Sequence, residues 1–374
     1  MKLTVVSITD PKDKHTWSGT TSNMYEALKR NGQEVDTITL KNWASPFYKR
    51  LVLANLKFFK HQKTANFETT LAGAKYWGRR VTKEVEKHPK ADYYLTPGGA
   101  SVVAFAQGDA KFVDLPDATY ELMNNYYYAG VDQDSADDGD KIDRYALQRA
   151  DKVILPSKWA YQSVVEDYKQ PENKLALIPF GANLPDVVVA PKKLDKKVIE
   201  LLLVGVEWER KGVDIALEVV KKLNVDTKDH EYHLTIIGLE KPTDFEQENV
   251  TFKGRLDKND PTELKMLEEE YRKADLFILP TQAEAAGIVF AEAAMYALPT
   301  LTYKTGGVTQ YVLDKKTGFT LDPTSSSDEF VEKIQELVAD QTMYTAFSKA
   351  AVDYYKSDLN WDAWAQKVCK FLED

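Results

Sequence analysis

Cysteine is almost missing from this chain: its 374 residues include one, Cys369. An intramolecular disulfide and a cysteine metal cluster are therefore excluded. Histidine is nearly as scarce, and His230 and His233, three apart at the start of an expected strand, fall on opposite faces and form no ligand pair. No apolar run has the ~20 residues that span a bilayer, and the nearest stretch, residues 283–303, carries Glu284 and Glu292. The first ten residues lack a signal-peptide pattern. Together these absences predict a cytoplasmic protein. The sequence has no strict repeat, no low-complexity tract, no Gly-x-x-x-x-Gly-Lys-Ser/Thr phosphate loop and no nucleophile elbow.

Positive charge is also in deficit. With 49 Lys and Arg against 58 Asp and Glu, the formal net charge is −9 and the pI about 5.3, which argues against a nucleic-acid polymer as partner. The deficit is uneven. Residues 41–83 hold Lys41, Lys49, Arg50, Lys57, Lys60, Lys63, Lys75, Arg79, Arg80 and Lys83 against a single acid, Glu68. Trp43, Phe47, Leu51, Phe58, Phe59 and Trp77 are interleaved, as in helices that lie on an anionic membrane or hold an anionic polymer. The stretch predicts peripheral contact at the inner membrane face, with a plain solvated helical face as the simpler alternative. Otherwise 43% hydrophobic and 29% charged residues are ordinary for a soluble globular protein, and the length suffices for two domains.

The most informative stretch is residues 275–312, D-L-F-I-L-P-T-Q-A-E-A-A-G-I-V-F-A-E-A-A-M-Y-A-L-P-T-L-T-Y-K-T-G-G-V-T-Q-Y-V. Residues 276–279 form a short apolar run of buried-strand type, Pro280 and Thr281 punctuate it, and residues 285–297 are rich in helix formers. Residues 298–303 repeat the strand, and Gly306 and Gly307 open a second turn. Both helix starts aim backbone N–H groups, Ile288 and Val289 among them, at the carboxyl end of a parallel sheet, where Gly287, Gly306 and Gly307 let a ligand approach the main chain. Such a place suits phosphate. Glu284 lies just before the first expected helix and Glu292 eight residues later, so at about 1.5 Å per residue they sit roughly 12 Å apart. Carboxylates that cleave a glycoside sit about 5–9.5 Å apart. The wider spacing suits hydroxyls at the two ends of a long ligand with a diphosphate between them, the shape of a nucleotide diphosphate sugar.

Glu284, Gly287 and Glu292 resemble the Glu, Gly, Glu pattern of glycosyltransferase family 4, retaining enzymes of the GT-B fold, and T-G-G-V-T-Q-Y-V resembles the next motif of that family. Residues 113–128, 152–168 and 177–183 resemble a subgroup of it, so the likeness spans most of the chain. The resemblance implies that Glu284 contacts the donor sugar and Glu292 the ribose. Many family members carry a His near the position of Asp117, which makes Asp117 the candidate for that role near the reacting sugar.

Residues 3–8 open the chain as an apolar strand, followed by a loop with Trp17 to Gly19 and an amphipathic helix over 21–30 that Gly32 stops. The resemblance places Gly19 in a loop facing the acceptor and the donor phosphate. Residues 43–88 read as helical; 93–95 and 111–115 read as short strands. Residues 184–197, with Pro185, Pro191 and a basic run, form the expected linker. A second domain then restarts with a strand over 200–204, the loop G-V-E-W-E-R-K-G and a helix over 213–223. Arg210 and Lys211 sit where strand gives way to helix, placed to hold a diphosphate. Lys211 before Gly212 matches the diphosphate lysine of the resembled family; Val206 stands where an Arg is often found, and Arg210 is the candidate for that missing guanidinium. Trp361, Trp364, Val368 and Phe371 form one apolar stripe on the last helix, which in GT-B proteins crosses back to the first domain.

Asp132, Asp134, Asp137, Asp138 and Asp140 read as a solvated acidic loop before a helix, lacking the closing Glu of a calcium loop. The resulting expectation is an α/β protein of GT-B architecture with two Rossmann-like, doubly wound domains facing a cleft. The boundaries are 1–183 for the acceptor domain, 184–197 for the linker, 198–356 for the donor domain and 357–374 for the returning helix. It would move a hexose-type sugar from a nucleotide diphosphate donor to a hydroxyl of a glycan or lipid-linked acceptor in glycan or cell-surface polysaccharide synthesis. Retention is implied by the resemblance, and no cofactor or obligatory metal is called for. A non-catalytic GT-B partner subunit, and a phosphorylase or epimerase on the same fold, are the alternatives.

Overall fold

The computed structural model describes every residue except 41–45, 60–63, 65, 89 and 227–228, so Lys41, Trp43, Lys60 and Lys63 lie outside the described residues. Two compact units divide the chain: Met1–Pro179 with Trp364–Asp374, and Phe180–Ala363.

In the first unit short apolar runs alternate with amphipathic segments, the pattern of a parallel sheet covered by helices. The elements are β1 Lys2–Ser7, α1 Thr20–Arg30, β2 Glu34–Thr39, α2 Pro46–Phe59, α3 Leu71–Lys87, β3 Tyr93–Pro97, α4 Ala100–Val103, β4 Phe112–Leu115, α5 Tyr120–Met123, α6 Gln133–Arg149, β5 Lys152–Leu155, α7 Lys158–Glu166 and β6 Leu175–Leu177. All neighbouring strands pair in parallel in the order β2-β1-β3-β4-β5-β6. The core gathers Val6, Trp77, Phe112, Ile142, Val153 and Val164 between sheet and helices.

The second unit has β7 Val198–Val204, α8 Val213–Asp226, β8 Glu231–Ile237, β9 Val250–Phe252, α9 Pro261–Lys273, β10 Leu276–Leu279, α10 Ile288–Met295, β11 Thr300–Tyr303, β12 Gly318–Leu321, α11 Ser327–Ala339 and α12 Gln341–Ser357; α13 Trp361–Glu373 begins in this unit and ends in the first. Its parallel order is β12-β11-β10-β7-β8-β9, the doubly wound order in which the chain reverses direction between β7 and β10. Residues 180–197 form no helix or strand and are strapped to this unit: Ala182 N donates to Leu359 O at 3.1 Å, and Lys192 Nζ meets the Arg272 carbonyl at 2.8 Å near the end of α9.

Three local expectations change. β2 was not legible, because Glu34–Thr39 is an edge strand of mixed polarity held by its backbone ladder to β1 rather than by an apolar face. The acidic run is a helix, not a loop: Asp132 caps α6 by accepting from Ser135 N at 2.9 Å, and Asp134, Asp137, Asp138 and Asp140 occupy its first turns. Acidic residues at a helix start are favoured by the positive end of its dipole. Among the described residues no cluster of acids, His or Cys is arranged to hold a metal ion. Thirdly, Trp77, one of the aromatic residues interleaved with the cations of residues 41–83, is a core residue rather than a surface partner of the cations.

Candidate active site

Adjacent loops diverge where strand order reverses, leaving a crevice at the carboxyl ends of the two central strands. In the second unit those are β7 and β10. The loop after β7 runs through Gly205 to Gly212, and Gly212 has φ +65° with its Cα so close to β10 that an added Cβ would lie 2.1 Å from the Pro280 carbonyl oxygen. Only glycine fits this position. The close approach is laced by hydrogen bonds: Gln282 N donates to Arg210 O at 2.7 Å and Thr281 Oγ1 to the same oxygen at 3.2 Å.

The two loops bring together residues far apart in the sequence. Lys211, only 6% exposed, places its ammonium on the Glu284 carboxylate, with Arg210 Nη1 at 3.7 Å from the same Glu284 oxygen. The Arg210 guanidinium also grips Glu207 through Nε at 2.8 Å and Nη2 at 3.0 Å, and donates to Ala283 O at 3.0 Å. A third loop joins them, since Gly307 N donates to the Glu284 carbonyl at 3.1 Å and Thr305 Oγ1 to Thr281 O at 3.1 Å. Glu284, Lys211, Arg210, Gly306 and Gly307 thus form one assembly at the switch point.

The helix after Glu284 is shorter than its composition implies. Residues 284–287 are not helical, and α10 starts at Ile288 behind Gly287, whose φ of +87° turns the chain into it. A Cβ there would meet the Phe290 ring at 2.8 Å, so glycine is needed for conformation and for space. The roughly 12 Å helical spacing from Glu284 to Glu292 therefore does not apply. Ile288 and Val289 are the first helical residues, whose N–H groups have no intrahelical acceptor. Behind Gly306 and Gly307 stands a single 3₁₀ turn, Val308–Gln310, instead of a longer helix, so fewer amides align there.

Glu292 is 2% exposed, one turn into α10. Its Oε2 accepts from Tyr271 Oη at 3.0 Å and its Oε1 from Lys258 Nζ at 2.5 Å. Burial, and next the neighbouring Glu292 charge, push the Tyr271 hydroxyl well above its ordinary range. Tyr271 comes from α9 and Lys258 from the loop before it. Sequence reasoning missed both, since neither belongs to a motif or sits at a spacing that ties it to residue 292.

Gly19 and Asp117 belong to the first unit. Gly19, φ +87°, directly precedes α1 and follows Trp17 and Ser18, both also in the left-handed region. Asp117 follows β4 and is half-buried, its Oδ1 accepting from Ala118 N at 2.9 Å. Nearby, Asp143 accepts from Tyr120 N at 2.6 Å, and its pKa is raised to about 8 by burial and then by the charges of Asp114, Asp140 and Asp117. Asp114, buried on β4, is raised to about 7, again chiefly by burial. The acidic sequence pattern does not reveal this pair, because its members come from different elements.

A doubly wound unit with basic and acidic side chains converging at its switch point defines a nucleotide-type α/β enzyme site. The particular family signal is direct: residues 188–353 match the family model described as glycosyl transferases group 1. The lipopolysaccharide glucosyltransferase WaaG of Escherichia coli (strain K12) is 27% identical over 72% of this chain and 70% of its own length. A GDP-mannose-dependent alpha-(1-6)-phosphatidylinositol monomannoside mannosyltransferase of Mycobacterium tuberculosis (strain CDC 1551 / Oshkosh) is 28% identical over 33% of this chain and 32% of its own length. Sucrose-phosphate synthase from Thermosynechococcus elongatus superposes with a TM-score of 0.69 at 17% identity, covering 100% of this chain and 98% of that one, which shows the shared fold. The protein is a nucleotide-sugar-dependent glycosyltransferase with the two Rossmann-like sheets of the GT-B fold.

Proposed function

We propose that the chain transfers a hexose from a nucleotide diphosphate sugar to a hydroxyl of a glycan or lipid-linked acceptor, with retention of anomeric configuration and without an obligatory metal ion. The observation that carries this reading is the ion pair of buried Lys211 with Glu284 at the switch point, flanked by Arg210. An ammonium has three donors, so Lys211 can hold Glu284 and still meet a phosphate oxygen. As the glycosidic bond breaks, negative charge grows on the departing diphosphate. Lys211, Arg210 and the N–H groups of Ile288 and Val289 are the groups of this site suited to stabilise it, and preorganised charge of this kind is usually the largest catalytic contribution. Glu284 accepts from hydroxyls of the donor sugar in this reading, and Glu292 from the ribose. The resemblance gives Asp117 a role near the reacting sugar, to be tested by the turnover of Asp117→Asn.

The names of the relatives support a lipid-linked or cell-surface glycan acceptor: one is a lipopolysaccharide glucosyltransferase and another a phosphatidylinositol monomannoside mannosyltransferase. The test is a screen of UDP-, GDP- and ADP-sugars for thermal stabilisation, followed by release of the free nucleotide diphosphate with and without acceptor. Release that requires acceptor supports transfer. Formation of sugar 1-phosphate from a glycan and inorganic phosphate, or conversion of the donor to an epimeric sugar without acceptor, identifies a phosphorylase or an epimerase and overturns the reading.

A further inference from the structure

Glu292, 2% exposed, is held at both carboxylate oxygens. The torsion that turns a glutamate carboxylate is broad and two-fold, so the plane of the group has to be set by its partners. One partner is immobile. Tyr271, fully buried on α9, lies against Tyr296 with ring centroids 5.1 Å apart and against Phe277 at 6.3 Å, and donates its hydroxyl to Oε2 at 3.0 Å. A single bond leaves the carboxylate free to rotate about it. The second, from Lys258 Nζ to Oε1 at 2.5 Å, fixes the plane.

Lys258 is placed for this by its loop rather than by burial. Asp257 N donates to Glu263 Oε2 at 2.5 Å, and Asp260 caps α9 by accepting from Thr262 N at 2.8 Å and Glu263 N at 3.0 Å, so the chain is pinned on either side of the lysine. Its side chain stays 32% exposed, on the side of Glu292 that opens to water. An ionised carboxylate has roughly four lone-pair sites. Tyr271 and Lys258 take one on each oxygen and leave one on each, side by side, a match for two adjacent hydroxyls.

We propose, resting on the ribose contact proposed for Glu292, that Lys258 is a positioning residue: it sets the carboxylate for a vicinal diol and so makes the donor site select ribonucleotides against 2′-deoxyribonucleotides. A site built to accept from a hydroxyl rejects the analogue that lacks it, because a buried acceptor is then left unpaired. Lys258 sharpens this by holding the acceptor still. A carboxylate free to turn would absorb the loss of one hydroxyl by rotation.

Isothermal titration of the full chain with UDP, GDP and ADP and with their 2′-deoxy counterparts tests the proposal. Wild type should bind at least one ribonucleotide at least about tenfold more tightly than its 2′-deoxy form. Lys258→Met should bring the two within about threefold of each other, chiefly by weakening the ribonucleotide, whereas Lys258→Arg, which keeps a charged donor, should retain most of the preference. Because Lys258→Met leaves a buried carboxylate without its cation, the comparison is repeated in Glu292→Gln and in Lys258→Met/Glu292→Gln, where no such charge remains. These two should show the same preference within about twofold, since Lys258 acts through Glu292. A wild type without preference, or wild-type preference in Lys258→Met, overturns this proposal and leaves the nucleotide reading of the site standing. So does a preference in Glu292→Gln that the second substitution removes, which would make Lys258 itself the contact to the sugar. Wild type that binds none of the six nucleotides overturns the proposed function and this role of Lys258 with it.

Discussion

Lys211 and Glu284 neutralise each other where little of either side chain is open to water, so their variants act on stability as well as on catalysis. Glu284→Ala and Lys211→Ala should each lower turnover at least about tenfold, by removing a contact to the donor. Each should also melt earlier, since an unpaired buried charge costs on the order of 3 kcal/mol. The double variant Lys211→Met/Glu284→Gln should regain most of the melting temperature and none of the turnover. Steady-state rates and melting curves on the same samples separate the two effects, and near-wild-type turnover in both single variants would remove this site from consideration. Glu292 differs, because its carboxylate is held by Tyr271 and Lys258 rather than by the lysine of the glycine-bearing loop. Glu292→Gln, which can still accept from Tyr271, should mainly weaken donor binding. A large fall in turnover at unchanged donor affinity would contradict the ribose role.

At the scale of elements, the switch point depends on how closely the loop after β7 passes the end of β10. Gly212→Ala brings a Cβ within 2.1 Å of the Pro280 oxygen at a backbone φ of +65°. The loop must shift, costing on the order of 1–3 kcal/mol and carrying Lys211 off Glu284. Activity should fall more than thermal stability; an alanine variant with wild-type turnover would show that the close approach does not position the lysine. In the first unit α6 packs Asp143 against the start of α5. Its pKa of about 8 lies far above the ordinary carboxyl value of 3.8, so the folded chain holds a proton that the unfolded chain has lost over that interval. Stability from this group is complete below about pH 4 and is lost as pH rises through about 8. Asp114, raised to about 7, adds in the same direction. Asp143→Asn keeps an acceptor for Tyr120 N and should flatten the decline between about pH 4 and about pH 8, read as melting temperature against pH. An unchanged slope would mean that the group ionises without cost.

At the scale of the whole molecule, two cations and a helix N-terminus are available for the diphosphate, so chelation should leave activity largely intact. Complete loss with EDTA, restored by manganese, would require a metal-assisted mechanism instead. Much of this architecture was legible in the chain. Apolar runs such as Leu276–Leu279 and Thr300–Tyr303 are short enough for buried strands, and they alternate with helix-forming segments, which is sufficient for two doubly wound α/β halves. Gly287 marked the turn into α10, and its position cannot carry a side chain. The edge strand β2 was not legible, since its stability lies in hydrogen bonds to β1 that leave little trace in side-chain pattern. Sequence by itself therefore determined the fold class, the glycine-bearing turn before α10 and the basic character of α2. Tertiary structure alone decided that Lys211 meets Glu284 across 73 positions, that Lys258 and Tyr271 close on Glu292 across 34 and 21, and that Phe47 and Phe58 stay in solvent while Trp77 does not. Periodicity records which face of an element is apolar, whereas these contacts depend on strand order and on which neighbour each face meets.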